Sequence, residues 1–249
     1  MQFLSVLQAK GRDSVIFEMH VHTKESSDCG HILGADVVKY YKMAGYDGLV
    51  VTDHMCPDYV TRHSELSWKQ LCERQNKGYI EASKAAKEYN MIVLYGCELR
   101  FRGSDNDYLC YGLPINFLAE NEDIFDWGVK RFCEYAAQNN ILVFQAHPMR
   151  NGMLIIDPSY LYGVEVFNGK PREDNLSRNA IVNMWAERFG LHKLAGSDCH
   201  SEEELARAGV RFIHSVSDTE SLINELRSDN YMLLESVGTL PSSLSNYNC

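Results

Sequence analysis

The feature that most constrains this 249-residue chain is a rhythm: short apolar, β-branched runs alternate with longer helical patterns, and chemically similar residues recur where the runs end. Runs at 15–19, 48–52, 91–96, 108–112, 141–145, 163–167, 193–195, 210–213 and 231–234 predict strands, and patterns at 35–44, 68–89, 123–139, 174–189 and 219–227 predict helices between them. Such alternation implies parallel strands joined by crossover helices. His20 and His22 follow the first strand, Asp53 and His54 the second, Cys97 and Glu98 the third, Ala146 and His147 the fifth, and Asp198 and His200 the seventh. In a closed parallel α/β barrel those strand ends open on one face, the face that holds the active site. Residues remote in sequence therefore converge there.

Side chains two apart on a strand point to the same side, so His20 with His22, and Asp198 with His200, can each reach one ion. Imidazole and carboxylate donors without thiolates suit a catalytic metal site that keeps positions open for water and substrate. The eight cysteines form no C-x-x-C pair, so they read as reduced, mostly buried thiols of a cytoplasmic protein. Residues 1–14 hold Lys10, Arg12 and Asp13 with no apolar run of signal-peptide length, and no later segment approaches membrane-spanning length. A formal net charge of -10 argues against long nucleic acid as a partner, because such binding needs clustered Lys and Arg. One domain over 1–249 is expected, with the informative motifs in about 15–215 and a Ser-rich tail at 241–249.

These motifs resemble the PHP (polymerase and histidinol phosphatase) family of metal-dependent phosphoesterases. The family's H-x-H-T-x-x-S-x-D-G stands here as His20 to Asp28 with Cys29 inserted before Gly30; T-D-H is Thr52-Asp53-His54; G-x-E is Gly96-Cys97-Glu98; A-H-P is Ala146-His147-Pro148. G-x-E-V-x-N-G follows at Gly163 to Gly169, and G-S-D-x-H at Gly196 to His200. The resemblance implies a distorted (β/α)7 TIM-like barrel with two or three divalent ions (Zn, Mn or Fe) at the C-terminal ends of its strands. By motif, His20, His22, Glu98 and Asp198 would hold one ion, Glu98 would bridge to a second bound by His147, and Asp28, His54 and His200 would hold a third. Many relatives supply another His to the second site. Here Asp107 stands in that place, a competent ligand that would favour harder ions such as Mn²⁺ or Fe²⁺.

Paired ions acidify a bridging water to a hydroxide nucleophile and clamp the oxygens of an in-line displacement, so attack on phosphorus in a small phosphorylated metabolite or nucleotide is the expected chemistry. Asp198 could also take a proton from the nucleophile. Arg100, two residues past Glu98, and Arg150, just past His147-Pro148, are candidate phosphate ligands because guanidinium pairs bidentately with phosphate oxygens. Lys170, Arg172 and Arg102 are lesser candidates of the same kind. Asn168 is a candidate substrate contact, and Glu165 could orient a ligand histidine. His31 competes with Asp28 in the opening motif, whose register favours Asp28. His63, His192 and His214 have no partner pattern and read as ordinary histidines. The alternatives are amidohydrolase-like attack on a carbon centre, and a non-catalytic metal-binding regulatory module.

Overall fold

The computed structural model describes residues 14–172 and 174–235. Its backbone is a ten-stranded sheet rolled into a nearly closed barrel, with seven α-helices among the described residues. The strands are β1 (Val15–Val21), β2 (Gly48–Val51), β3 (His54–Met55), β4 (Ile92–Arg100), β5 (Asp107–Tyr111), β6 (Leu142–Gln145), β7 (Gly163–Asn168), β8 (His192–Gly196), β9 (Ala208–Phe212) and β10 (Tyr231–Glu235). The helices are α1 (Gly34–Met43), α2 (Pro57–Arg62), α3 (Trp68–Tyr89), α4 (Phe117–Glu120), α5 (Gly128–Gln138), α6 (Asn175–Phe189) and α7 (Thr219–Ser228).

The sheet order is β10-β9-β1-β2-β4-β5-β6-β7-β8, with β3 paired to the far end of β4. Parallel pairing runs β1-β2-β4 and β6-β7-β8, as the crossover helices require. The chain just past β8 returns to β1: His22 N donates to Cys199 O at 2.9 Å and Cys199 N to His20 O at 3.2 Å, which all but closes the ring. At Gly196 a Cβ would overlap the Cβ of His20, so only glycine lets β8 pass this close.

A uniformly parallel barrel is not what forms. β5 runs antiparallel between β4 and β6, and β9 and β10 add antiparallel strands outside β1. The physical reason lies in β4, which continues to Arg100 and leaves only a short hairpin before Asp107, too short for a crossover. Reversal brings the first residue of β5 to the rim where the parallel strands end, with Asp107 directly opposite Arg100. The expected helix at 123–139 is a 3₁₀ turn followed by α5, and β3, α2 and α4 are further elements.

Caps and turns are local chemistry. α3 opens on a capping box between Ser67 and Gln70 and ends at Asn90 in the left-handed region (φ 47°). Apolar side chains of β1, β2, β4, β5, β6, β8 and β9, among them Phe17, Met19, Tyr111, Phe144 and Phe212, pack with Leu222, Ile223 and Leu226 of α7 into one buried cluster. Among the described residues no helix is long and apolar enough to cross a membrane. The expected tail at 241–249 and nearly all of the segment 1–14 lie outside the described residues.

Candidate metal centre

Strand ends place the chemistry. His20 and His22 leave β1 side by side, their ring centroids 5.1 Å apart, and β3 pairs His54 directly with Glu98 of β4. Glu98 is fully buried and is the hub: its Oε2 lies 3.3 Å from His20 Nε2, 3.2 Å from His22 Nε2 and 3.0 Å from His54 Nδ1, while its Oε1 lies 2.9 Å from His147 Nε2. Asp198 Oδ1 is 3.6 Å from both His20 Nε2 and His22 Nε2 and 3.4 Å from His200 Nδ1. Asp107 Oδ2 is 4.0 Å from His147 Nε2.

These separations carry a metric signature. Donors set about 2.0–2.1 Å from an ion at the corners of a tetrahedron lie about 3.3–3.4 Å from one another. Glu98 Oε2 stands at about that spacing from His20 Nε2 and His22 Nε2, at 3.3 and 3.2 Å, and Asp198 Oδ1 a little wider, at 3.6 Å from each. Moreover, His20 Nε2, His22 Nε2 and Glu98 Oε2 are buried with no hydrogen-bond partner among the described residues. Buried polar atoms are normally paired, so orphaned atoms spaced like the edge of a coordination sphere fit a cation. His20-His22-Asp198, His20-Glu98-His147, His54-Glu98-Asp107 and His22-His54-His200 each bring three ligand atoms within 4.8 Å of one another.

Electrostatics bind the cluster together: burial opposes charge on His20 and His22, yet Glu165, Glu98 and Asp198 hold His20 well above the usual imidazole range, and Asp198 and Glu98 raise His22, so a cation there would replace protons. Burial opposes charge on Glu98 and Asp198, yet the neighbouring imidazoles, with Arg150 beside Asp198, hold both well below the usual carboxylate range. Burial pushes His54 down to about 3, and burial with the nearby His22 pushes His200 down to about 2, so both stay neutral, the form that ligates. His147 and Asp198 sit in the left-handed region (φ 31° and 53°), an uncommon conformation for a side-chain-bearing residue and one that clusters at functional sites.

The ligand candidates are aimed by buried carboxylates. Glu165 Oε1 lies 2.9 Å from His20 Nδ1, and its Oε2 accepts from His147 N at 2.8 Å, as expected of a residue that orients a ligand histidine. Two others take roles that the motifs do not spell out. Glu18 accepts the backbone N–H groups of Met19, His20 and Ser197, all at 2.9 Å, where the β1-β2 pairing is irregular, and burial pushes it up to about 7 against those donors. Asp53 accepts from Thr23 N at 2.7 Å and from the hydroxyls of Thr23 at 2.6 Å and Ser27 at 2.7 Å, tying down the loop that follows β1. Glu18 had a signal, since it precedes His20 and His22 at the same period of two.

A cavity of about 420 Å³ opens over the cluster, lined by His54, Asp107, His147, Asp198 and His200 together with Arg100, Arg150, Lys170 and Arg172. Arg100 pairs with both oxygens of Asp107 at 2.8 Å; Arg150 pairs with Asp198 and lies 3.4 Å from Asn168 Oδ1. His31 and Cys29 reach the same rim. Arg102 is turned away, bound to Asp126 at 2.7 Å. Asp28 is not brought to the cluster: Arg62, His63 and Arg74 bind it instead. His63 thereby has a partner the spacing did not reveal, while His192 pairs with Asp229 and His214 with Glu225.

Donor atoms spaced for divalent ions at the strand-end rim of such a barrel place the chain among the metal-dependent hydrolases. Comparison with known proteins narrows the class. The PHP domain family matches residues 18–228, and the chain belongs to that family. Among solved structures, a two-domain protein of Bacteroides vulgatus with a predicted PHP-like metal-dependent phosphoesterase aligns with TM-score 0.65 at 14% identity over 90% of this chain. The chain spans 65% of that protein's length. A Bifidobacterium adolescentis protein assigned as a metal-dependent phosphoesterase aligns with TM-score 0.52 at 16% identity, covering 86% of this chain and 96% of its own. An amidohydrolase of Chromobacterium violaceum, solved with sulfate and without metal, aligns with TM-score 0.53 at 14% identity, covering 88% and 98%. At these identities the likeness is one of fold. No protein of curated function matches the sequence.

Proposed function

We propose that the chain is a phosphoesterase acting on a small phosphorylated metabolite or nucleotide, with His20, His22, Glu98 and Asp198 holding one divalent ion and Glu98, His147 and Asp107 a second. The observation that carries this reading is the cavity lining: Arg100, Arg150, Lys170 and Arg172 face the same space as the ligand candidates, on a chain whose formal net charge is -10. Asp107, Asp198 and Glu204 line the cavity too and pair with three of these groups, but an acidic protein that collects four cationic side chains at one cavity suits an anion there, the more so once ions engage the carboxylates. When bound, divalent ions supply Lewis acidity towards a phosphoryl oxygen and lower the pKa of water.

The chain's own groups do the rest. Arg150, beside Asn168 and Asp198, is placed to grip a phosphate oxygen as substrate enters, and Arg100, beside Asp107 in the same cavity, to grip another. Asp198, held ionised, is an acceptor for the proton of the attacking water. The amidohydrolase neighbour keeps attack on a carbon centre as the second reading, but a neutral carbonyl substrate makes little use of guanidinium and ammonium groups. Hydrolysis rates for a panel of phosphomonoesters and phosphodiesters, beside amides and lactones, with protein loaded separately with Mn²⁺, Zn²⁺ and Fe²⁺, decide between them. Turnover confined to the carbon esters and amides would remove the phosphoesterase reading.

A further inference from the structure

The family pattern assigns Asp28 to an outlying third ion, and the fold spends it elsewhere. Both carboxylate oxygens are occupied: Oδ2 accepts from Arg62 Nε at 2.7 Å, and Oδ1 lies 2.8 Å from His63 Nε2 and 3.1 Å from Arg74 Nη2. Arg62 ends α2, His63 caps it and Arg74 belongs to α3, so two helices hold one loop residue. The donors are themselves braced by Tyr59, with the His63 ring edge-on at 4.9 Å and the Arg74 guanidinium over the ring at 5.9 Å. Charge-assisted bonds of this length are about twice as strong as neutral ones. Turning Asp28 onto an ion would break all of them and strand two guanidinium groups.

What remains at the outlying position is a pair of imidazoles, His54 and His200, with ring centroids 6.0 Å apart. His22 lies beside both, with ring centroids at 4.3 and 4.2 Å, but its Nε2 faces Glu98 Oε2 at 3.2 Å and its Nδ1 faces Ser27 Oγ at 3.3 Å, so a third ion would have to take it from the first. The carboxylates beside them are already engaged: Glu204 accepts from His200 N at 2.7 Å and lies 3.6 Å from Lys170 Nζ, while Asp198 and Glu98 face the histidines of the first ion. A positive charge already stands at that end: Lys170 Nζ lies 2.8 Å from His200 Nδ1 and 3.6 Å from Glu204 Oε1.

We propose that the centre of this chain holds two ions, with Asp28 fastening its loop to α2 and α3 and the Lys170 ammonium supplying the positive charge that an outlying third ion would bring. The proposal rests on the metal-dependent reading above, and the test separates the two. The full chain is loaded with excess Mn²⁺, freed of loosely bound ion by gel filtration, and its metal counted by mass spectrometry. Two equivalents are expected in the wild type and in Asp28→Asn, whose thermal melt reports whether it is folded. Three equivalents in the wild type overturn the proposal and leave the metal-dependent reading standing; none overturns both. Two in the wild type and one in a folded Asp28→Asn make Asp28 a ligand and overturn its role as a fastening. Lys170→Met is expected to keep two ions and raise KM for a phosphomonoester about tenfold, the loss of one charge-assisted contact; an unchanged KM overturns the part given to Lys170.

Discussion

Replacing Glu165 with Gln removes a charge from behind the ligand histidines while preserving volume. Glu165 is 1% exposed and three groups converge on it: His20 Nδ1 at 2.9 Å, His147 N at 2.8 Å and Asn168 Nδ2 at 2.9 Å. A carboxylate accepts from all of them. It thereby fixes the His20 tautomer that leaves Nε2, the nitrogen facing Glu98 and Asp198, free to ligate. A glutamine offers one acceptor oxygen and turns an NH₂ towards the remaining donors, so at least one N–H faces another N–H in a dry site. Partners of this kind are worth about 10–100-fold in metal affinity, which corresponds to about 1.4–2.8 kcal/mol. Because Glu165 touches both His20 and His147, both ions should loosen together. Competition with a chromophoric chelator, on metal-free protein shown by circular dichroism to be folded, measures this. Both dissociation constants are expected to rise within that range, with turnover largely recovered at saturating metal. A folded Glu165→Gln that binds both ions within twofold of the wild type would refute the reasoning.

Arg150→Ala should raise KM for phosphoesters by about 10–100-fold, the loss of a charge-assisted contact worth about 1.5–3 kcal/mol, with metal content unchanged by elemental analysis; an unaltered KM leaves Arg150 as no more than the counter-ion of Asp198. Glu98→Gln should abolish measurable turnover at saturating metal, because its two oxygens serve His147 on one side and His20, His22 and His54 on the other, whereas His200→Ala should retain a detectable rate at high substrate. Equal losses in two well-folded variants would remove the bridging role of Glu98. Arg100→Gln frees Asp107 from its bidentate partner, so ion affinity should rise while KM also rises; a fall in ion affinity would show that Arg100 supports the ligand instead of competing for it. Gly196→Ala forces overlap with His20 and should cost about 1–3 kcal/mol, lowering Tm by roughly 2–4 °C for each kcal/mol; an unchanged melt means that β1 and β8 can part at no cost.

The convergence of His20, His22, Glu98, His147, Asp198 and His200 is legible in the sequence because each stands where an apolar run ends, and strand ends in a barrel share a rim. The reversal of β5 is not. The apolar pattern of β4 stops near Gly96, since Glu98 and Arg100 are polar for chemical reasons, and ending the strand there leaves a gap long enough to pass for a crossover. β3 has two residues and no period to detect, and α2 is capped by Cys56 in place of the usual Ser, Thr, Asp or Asn. Asp28 shows the limit most sharply. Its spacing from His20 places it near the ligands, but its fate is decided by Arg62, His63 and Arg74, which lie 34, 35 and 46 residues away. Local pattern tells which way a side chain leaves the backbone, and only the assembled fold tells what meets it.

The same distinction sorts the buried acids. Glu18, Asp53 and Glu165 spend their oxygens on N–H and O–H donors that hold the loops and rings in place. Glu98 and Asp198 are as deeply buried, yet each keeps an oxygen turned to imidazole nitrogens that carry no proton-sharing partner of their own. Burying such charges costs several kcal/mol, and Arg150 offsets this only at Asp198, so a protein gains nothing by assembling this group for stability alone. A divalent cation resolves every imbalance at once: it gives the orphaned nitrogens an acceptor for their lone pairs and cancels the carboxylate charge. Part of the formal charge of -10 is then a property of the metal-free chain, and with ions bound the cavity over the cluster is more positive than the composition suggests.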